Sequence, residues 1–223
     1  MKSGNIELCE KILKKTSNKY LWIINYFKEN VSYDKKILEI GCASGFLTAF
    51  LNAIGYCVEG IDVSDTAILY AKNTFGSYYN KQPKNYEYDY IFFLGLIGCV
   101  ENPREFVSRN LELLKPGGCM LFNAPNVEAV IQLDEIWAPT PPPDLIYLFS
   151  EKSIKHICGS NYHIETKKIV SKDQIIKKNI NMIIRKKYVD YPVRFAEIES
   201  YKSNNKRIIK RLIKKIFKLA MST

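Results

Sequence analysis

The sequence predicts an α/β fold, and two observations predict it. A short apolar run, Ile37 to Ile40, meets a glycine-bearing turn, Gly41-Cys42-Ala43-Ser44-Gly45, that opens a helical stretch. A second apolar run then ends in a carboxylate, Asp62, about 20 residues on, which is the layout of a nucleotide-binding βαβ unit. Gly41 and Gly45 lack a Cβ, so the backbone there turns sharply and approaches a ligand closely. Asp62, at the end of the second strand, is placed to accept hydrogen bonds from the two hydroxyls of a ribose. The spacing departs from the G-x-G-x-x-G that seats a pyrophosphate on a helix N-terminus.

The elements follow in order. Residues 4 to 30 carry Ile6, Ile12, Leu21, Ile24 and Phe27 at helical spacing, giving helices that either cover the entrance of the ligand site or simply pack. Strand one is Ile37 to Ile40, the next helix runs from about Phe46 to Ile54, strand two is Cys57 to Ile61, and a helix near Thr66 to Phe75 follows. Gly76 to Glu87 is too short for a third strand plus a full helix before the strand near Tyr90, so this edge is expected to be abbreviated. Within it, Gly76 to Pro83 has turn-forming chemistry and is the expected neighbour of an adenine. A further helical run spans Glu151 to Cys158.

The turn, led by Glu39, resembles the first motif of the class I S-adenosylmethionine-dependent methyltransferases, an acid-x-Gly-x-Gly-x-Gly sequence in which Ala43 stands for the middle glycine. The resemblance continues through Asp62, Tyr88-Asp89-Tyr90-Ile91, Leu113-Leu114-Lys115-Pro116-Gly117-Gly118 and Ala124-Pro125-Asn126, and so covers residues 35 to 126. Phe149-Ser150 and the helical stretch after it look like the small-molecule branch that includes ubiquinone-pathway and sugar methyltransferases. The resemblance implies a Rossmann-like methyltransferase sheet with helices on both faces, abbreviated around the third strand. It implies S-adenosyl-L-methionine as cofactor, held by Glu39, Gly41, Ala43, Gly45 and Asp62. Leu94 would lie beside the methionine portion, or else be an ordinary core leucine.

Two departures bear on catalysis. Where the resembling families often carry a Glu-His pair, this chain has Gly98-Cys99, and where a later histidine often follows a proline pair and an acid, Pro142-Pro143-Asp144-Leu145 has leucine. A sulfonium is already an activated methyl donor, so in-line positioning supplies much of the rate. A weakly acidic hydroxyl acceptor still gains roughly 10² to 10⁴ from a base. Glu101, Asp144 and His156 are the candidates, each with an alternative reading as a loop, cap or surface residue. Trp137 leads the stiff segment Trp137-Ala138-Pro139-Thr140-Pro141-Pro142-Pro143, which is either an acceptor-site wall that stacks on a ring or a crossover covering the sheet edge.

Composition fits one domain with a sizeable core: 223 residues, 47% hydrophobic. The six cysteines, at 9, 42, 57, 99, 119 and 158, include no C-x-x-C pair and suggest reduced thiols and no metal centre. No secretory leader and no run of about 18 apolar residues is evident, so a cytoplasmic, soluble or peripheral protein is expected.

The domain is expected to span 1–200, with 201–223 a basic amphipathic C-terminal helix. Lys202, Lys206, Arg207, Lys210, Arg211, Lys214, Lys215 and Lys218 supply most of the net charge of +10. Ile208, Ile209, Leu212, Ile213, Ile216 and Phe217 recur between them at helical spacing, an interfacial pattern suited to an anionic membrane surface over residues 202–218. Docking on this domain or on a second copy is the rival reading, and nucleic acid is disfavoured because phosphate binding needs no apolar stripe. The sequence thus points to methyl transfer to a small acceptor, a hydroxyl of a sugar or glycan precursor. The alternatives are a non-catalytic binding subunit of the same fold and a nucleic-acid methyltransferase.

Overall fold

The computed structural model describes residues 18–84, 87–133, 145–159, 162–167 and 179–186. The chain divides after Tyr188, and every described residue belongs to the first unit. Trp137, Asp144, residues 4–17 and the basic segment 202–218 lie outside the described residues.

A helix, α1 (Asn18–Asn30), leads into β1 (Lys36–Ile40). Then come α2 (Phe46–Ala53), β2 (Cys57–Ile61), α3 (Asp65–Phe75), β3 (Tyr79–Asn80) and β4 (Tyr88–Phe93). They are followed by α4 (Pro103–Glu112), β5 (Leu114–Pro125), α5 (Val127–Leu133), α6 (Glu151–Cys158), β6 (Tyr162–Lys167) and β7 (Asn179–Lys186). The seven strands form one sheet in the order β3-β2-β1-β4-β5-β7-β6. Strands β1 to β5 are parallel, whereas β7 runs antiparallel to both β5 and β6. This is the expected Rossmann-like sheet. Its third strand is two residues long, as the short 76–87 interval requires.

Local chemistry explains the helix starts. Ser64 accepts from the Ala67 N–H, Asn102 accepts from the Glu105 N–H ahead of Pro103, and Ser150 and Ser153 cap α6 reciprocally. The central strands are apolar on both faces because helices cover both. On one face α1, α2 and α3 pack over Ile37, Val58, Phe92 and Leu121; on the other α4 and α6 pack over Leu38, Ile91, Phe93 and Phe122. Phe27 of α1 is fully buried and meets Phe92 edge-on at 5.4 Å, and the Phe93 and Phe122 rings stack at 4.7 Å. Each such ring contributes roughly 1.5–3 kcal/mol by leaving water.

At the amino edge, Asp89 accepts from the Lys36 N–H and from Lys115, both at 2.9 Å. Burial acts to raise the Asp89 carboxyl, but these two hydrogen bonds together with the Lys115 and Lys35 charges hold it below the ordinary range. The carboxylate of Glu59 ties down the abbreviated edge by accepting from Asn80 Nδ2, the Lys84 N–H and the Tyr88 hydroxyl. Because β2 and β4 flank β1, successive crossovers leave β1 on opposite sides. The carboxyl ends of β1 and β4 therefore frame the crevice where an open α/β sheet takes its ligand.

Candidate functional site

The turn after β1 is bound to the end of β2 at several points. The N–H groups of Gly41 and Cys42 both donate to the Ile61 carbonyl, at 2.8 and 3.0 Å. Asp62, the next residue, accepts from the Ala43 N–H through Oδ2 and from the Ser64 N–H through Oδ1, each at 2.9 Å. The carboxylate thereby fixes the turn to the start of α3, and about two of its four lone-pair sites remain for ligand hydroxyls.

Gly41, Ala43 and Gly45 all have positive φ, at 72°, 47° and 80°. Their neighbours differ. A Cβ on Gly41 would meet Leu96 Cδ2 at 3.1 Å, in the segment that follows β4, so this glycine keeps the crevice open. A Cβ on Gly45 would sit 2.5 Å from the Tyr79 ring and 2.9 Å from Ala71 Cβ. Its small size therefore serves the packing of α2 against β3 and α3 rather than approach to a ligand, a difference from the sequence expectation. Tyr79, fully buried, also donates its hydroxyl to the Gly45 carbonyl at 2.7 Å.

Ala43 is the one described non-glycine residue with positive φ. Left-handed backbone costs an L-residue roughly 1–2 kcal/mol, and a glycine loses about 0.5–1 kcal/mol in unfolded-state entropy. Ala43→Gly is therefore expected to raise stability by about 0.5–1 kcal/mol, read by denaturant unfolding; a clear loss would show that the Ala43 methyl makes a favourable contact.

Glu39 lies on the α1–α3 face, 5% exposed, and accepts from the Thr48 hydroxyl of α2. It holds the helix to the strand below the turn. Gly60 makes room for this contact, since a Cβ there would meet Thr48 Oγ1 at 2.8 Å and the Cys42 side chain at 3.0 Å. Burial, then the Glu39 and Asp62 charges, push the Cys42 thiol far above its ordinary range, so it stays protonated. Burial, then the Glu39 charge, raise the hydroxyl of Tyr20, at the start of α1, above its ordinary range.

Leu94 directly follows β4, half-buried against the core on the α1 face. The next N–H, of Gly95, donates to Asn123 Oδ1 at 2.6 Å, so a buried amide of β5 shapes the loop. The position of the absent acid is closed: a Cβ on Gly98 would be 2.6 Å from Leu145 Cδ1 and 2.9 Å from Pro125, and the Gly98 carbonyl accepts from the Ile146 and Tyr147 N–H groups. Segment 145–147 thus occupies the space of a longer side chain. Glu101 is exposed, and its carbonyl accepts from the Tyr147 hydroxyl. His156 is exposed on α6, on the opposite face from Glu39, with Nε2 2.8 Å from an Arg104 nitrogen of α4. The structure gathers Gly41, Ala43 and Asp62 at the carboxyl ends of β1 and β2, sets Glu39 and Gly45 into the packing around that turn, places Leu94 just after β4, and leaves His156 on the opposite face. Thr48, Tyr79 and Asn123, which support the site, carry no local sequence signal of that role. Among the described residues no His, Cys, Asp and Glu cluster is arranged to hold a metal ion. No described helix is long and apolar enough to cross a membrane.

Residues 13–161 match a family described as a methyltransferase domain. The chain is 25% identical over 190 residues to a ubiquinone biosynthesis O-methyltransferase of Photorhabdus laumondii, covering 70% of this chain and 77% of that one. It is 29% identical over 107 residues to the Thiobacillus denitrificans protein of the same name, covering 43% and 46%. It spans about half the length of three such relatives. Among solved structures, an S-adenosylmethionine-dependent methyltransferase from Clostridium acetobutylicum superposes with a TM-score of 0.59 at 14% identity, over 81% of this chain and 97% of that one. A TehB-like S-adenosylmethionine-dependent methyltransferase from Corynebacterium glutamicum gives 0.57 at 17% identity, over 83% and 98%.

Proposed function

Because the chain belongs to the family of methyltransferase domains, we propose that it moves a methyl group from S-adenosylmethionine to a hydroxyl of a small acceptor. The observation that carries this reading is the turn at Gly41–Gly45 closed upon the Asp62 carboxylate, with acceptor capacity left over at the strand's carboxyl end. Those residues fit the cofactor. Asp62 would take the ribose hydroxyls, Gly41 leaves space beside Leu96, and Leu94 offers an apolar flank for the methionine portion. When bound, S-adenosylmethionine supplies a sulfonium methyl, so that an attacking oxygen gains the methyl while the C–S bond breaks and its electron pair stays on sulfur. Glu39 acts indirectly, by anchoring α2 through Thr48.

The acceptor's proton must also leave. Gly98 is closed by Leu145, and His156 faces away. An acceptor that ionises readily suits such a site: a phenol, with a pKa near 10, needs less help than a sugar hydroxyl. The relatives named as ubiquinone biosynthesis O-methyltransferases support an oxygen acceptor. The sugar or glycan-precursor reading rests on Trp137 and the basic tail, both outside the described residues. A panel of catechols, other phenols, nucleotide sugars and lipid-linked glycans, scored by S-adenosylhomocysteine release, tests the proposal. Turnover with phenols is expected. Turnover with glycans alone would move the acceptor class, and none anywhere despite cofactor binding would favour a non-catalytic binding subunit.

A further inference from the structure

The α4–α6 face holds a second group of polar side chains, which the proposed reaction does not use. An Arg104 side-chain nitrogen, in the first turn of α4, lies 2.8 Å from Nε2 of His156 on α6. A guanidinium only donates, so Nε2 accepts and the proton of the neutral ring sits on Nδ1. Guanidinium groups ordinarily pair with carboxylate or phosphate oxygens. Arg104 makes no ion pair with a described residue. Its neighbour Glu105 turns back to Asn102 Nδ2 at 3.5 Å, and Glu151 is engaged by Lys155 at 2.7 Å.

Beside this pair is a cavity of about 440 Å³, lined by Lys155, His156, Gly159, Tyr162 and Ile164. Small-molecule sites occupy roughly 300–1,000 Å³. Two elements build it. Lys155, His156 and Gly159 come from the last turn of α6 and its cap, while Ile154 and Cys158 of the same helix are buried in the core. Tyr162 and Ile164 alternate onto one face of β6, the last strand of the sheet, and both pack on the core that α4 and α6 cover. A Cβ on Gly159 would meet nothing within 4 Å, so the rim is open there. The lining thus combines an apolar floor, Ile164 and the Tyr162 ring, with groups that donate: the Lys155 ammonium, the His156 Nδ1–H and the Tyr162 hydroxyl.

We propose that this cavity is a second ligand site, and that it takes a small molecule with an apolar ring and one anionic group, phosphate or carboxylate. Free acceptor oxygens are what the lining lacks, since the carboxylate bonded to Lys155 is already paired. Arg104 carries a charge that no described carboxylate balances, and it holds the imidazole in the tautomer that donates from Nδ1. An anion accepting from that N–H gains the guanidinium's attraction as well. The site is separate from the glycine turn, so its occupation neither requires nor tests methyl transfer.

The chain has two histidines, so ¹⁵N-histidine labelling gives two sets of imidazole signals, and His156→Gln assigns them. At fixed pH, phenyl phosphate and benzoate are expected to shift the His156 set saturably, the tighter of the two naming the anionic group. His163, which faces Glu165 instead, should stay in place. Arg104 is exposed, so Arg104→Met should keep the unfolding midpoint while weakening phenyl phosphate about threefold to tenfold. Inorganic phosphate should bind more weakly than phenyl phosphate, because it leaves the floor uncovered. An equal response to benzyl alcohol, which has the ring without the charge, overturns the anion. Equal shifts at His163 would reveal general attraction to a basic protein and overturn the site, as would undiminished binding by Arg104→Met. Phenyl phosphate no tighter than inorganic phosphate overturns the ring-bearing ligand.

Discussion

Gly45→Ala is expected to lower stability by about 1–4 kcal/mol, the largest loss from a single methylene-sized change in this site. Two terms add, less the roughly 0.5–1 kcal/mol that removing a glycine saves in unfolded-state entropy. The residue has φ 80°, where an L side chain costs roughly 1–2 kcal/mol. The new Cβ would then stand 2.5 Å from the Tyr79 ring and 2.9 Å from Ala71 Cβ, and overpacking a closed core costs typically 1–3 kcal/mol. The ring has little room to retreat, since Tyr79 is fully buried and its hydroxyl is bonded to the Gly45 carbonyl. Denaturant unfolding measures the loss, and a double-mutant cycle with Tyr79→Leu locates it. The leucine should restore part of what the alanine costs; a loss unaffected by shortening residue 79 would mean that backbone strain alone accounts for the effect.

That contact also shows where reading the chain unaided stops. The strand at Cys57–Ile61 and the helix at Glu151–Cys158 were legible because their signals are local: an apolar run ending at Asp62, and a helical stretch directly after Phe149-Ser150. The abbreviated edge was legible from chain length alone. The reason for Gly45 lies at Tyr79, 34 residues away, and the reason for Gly98 lies at Leu145 and Pro125, so neither could be assigned from neighbours in sequence. Antiparallel β6 and β7 were not anticipated at all. Strand β7 carries Ile180, Met182 and Ile184 on one face but Asn181, Ile183 and Arg185 on the other, a short alternation broken at Ile183-Ile184, and its pairing with β5 bridges more than fifty residues. The polar pair Asn123 and Asn181 exists only through that pairing.

Asp62→Ala is expected to weaken S-adenosylhomocysteine about a hundredfold or more. Hydrogen bonds to a charged group contribute roughly 1.5–3 kcal/mol each, and two ribose hydroxyls share this carboxylate in the proposed mode. The prediction needs care because Asp62 has a second task, holding the Ala43 and Ser64 N–H groups at 2.9 Å. Alanine would loosen the turn as well as remove the ligand contact, so the bare loss of affinity does not separate the two roles. Removing the ribose hydroxyls from the ligand does. If the carboxylate binds them, wild type should discriminate strongly between S-adenosylhomocysteine and its 2′,3′-dideoxy analogue, and Asp62→Ala should bind both about equally. If Asp62 serves only to brace the turn, the two losses should add, with the variant still preferring the hydroxylated ligand as much as wild type does. Calorimetry on the four combinations decides it, and a non-additive cycle would make the short link between β2 and the glycine turn the anchor of the cofactor.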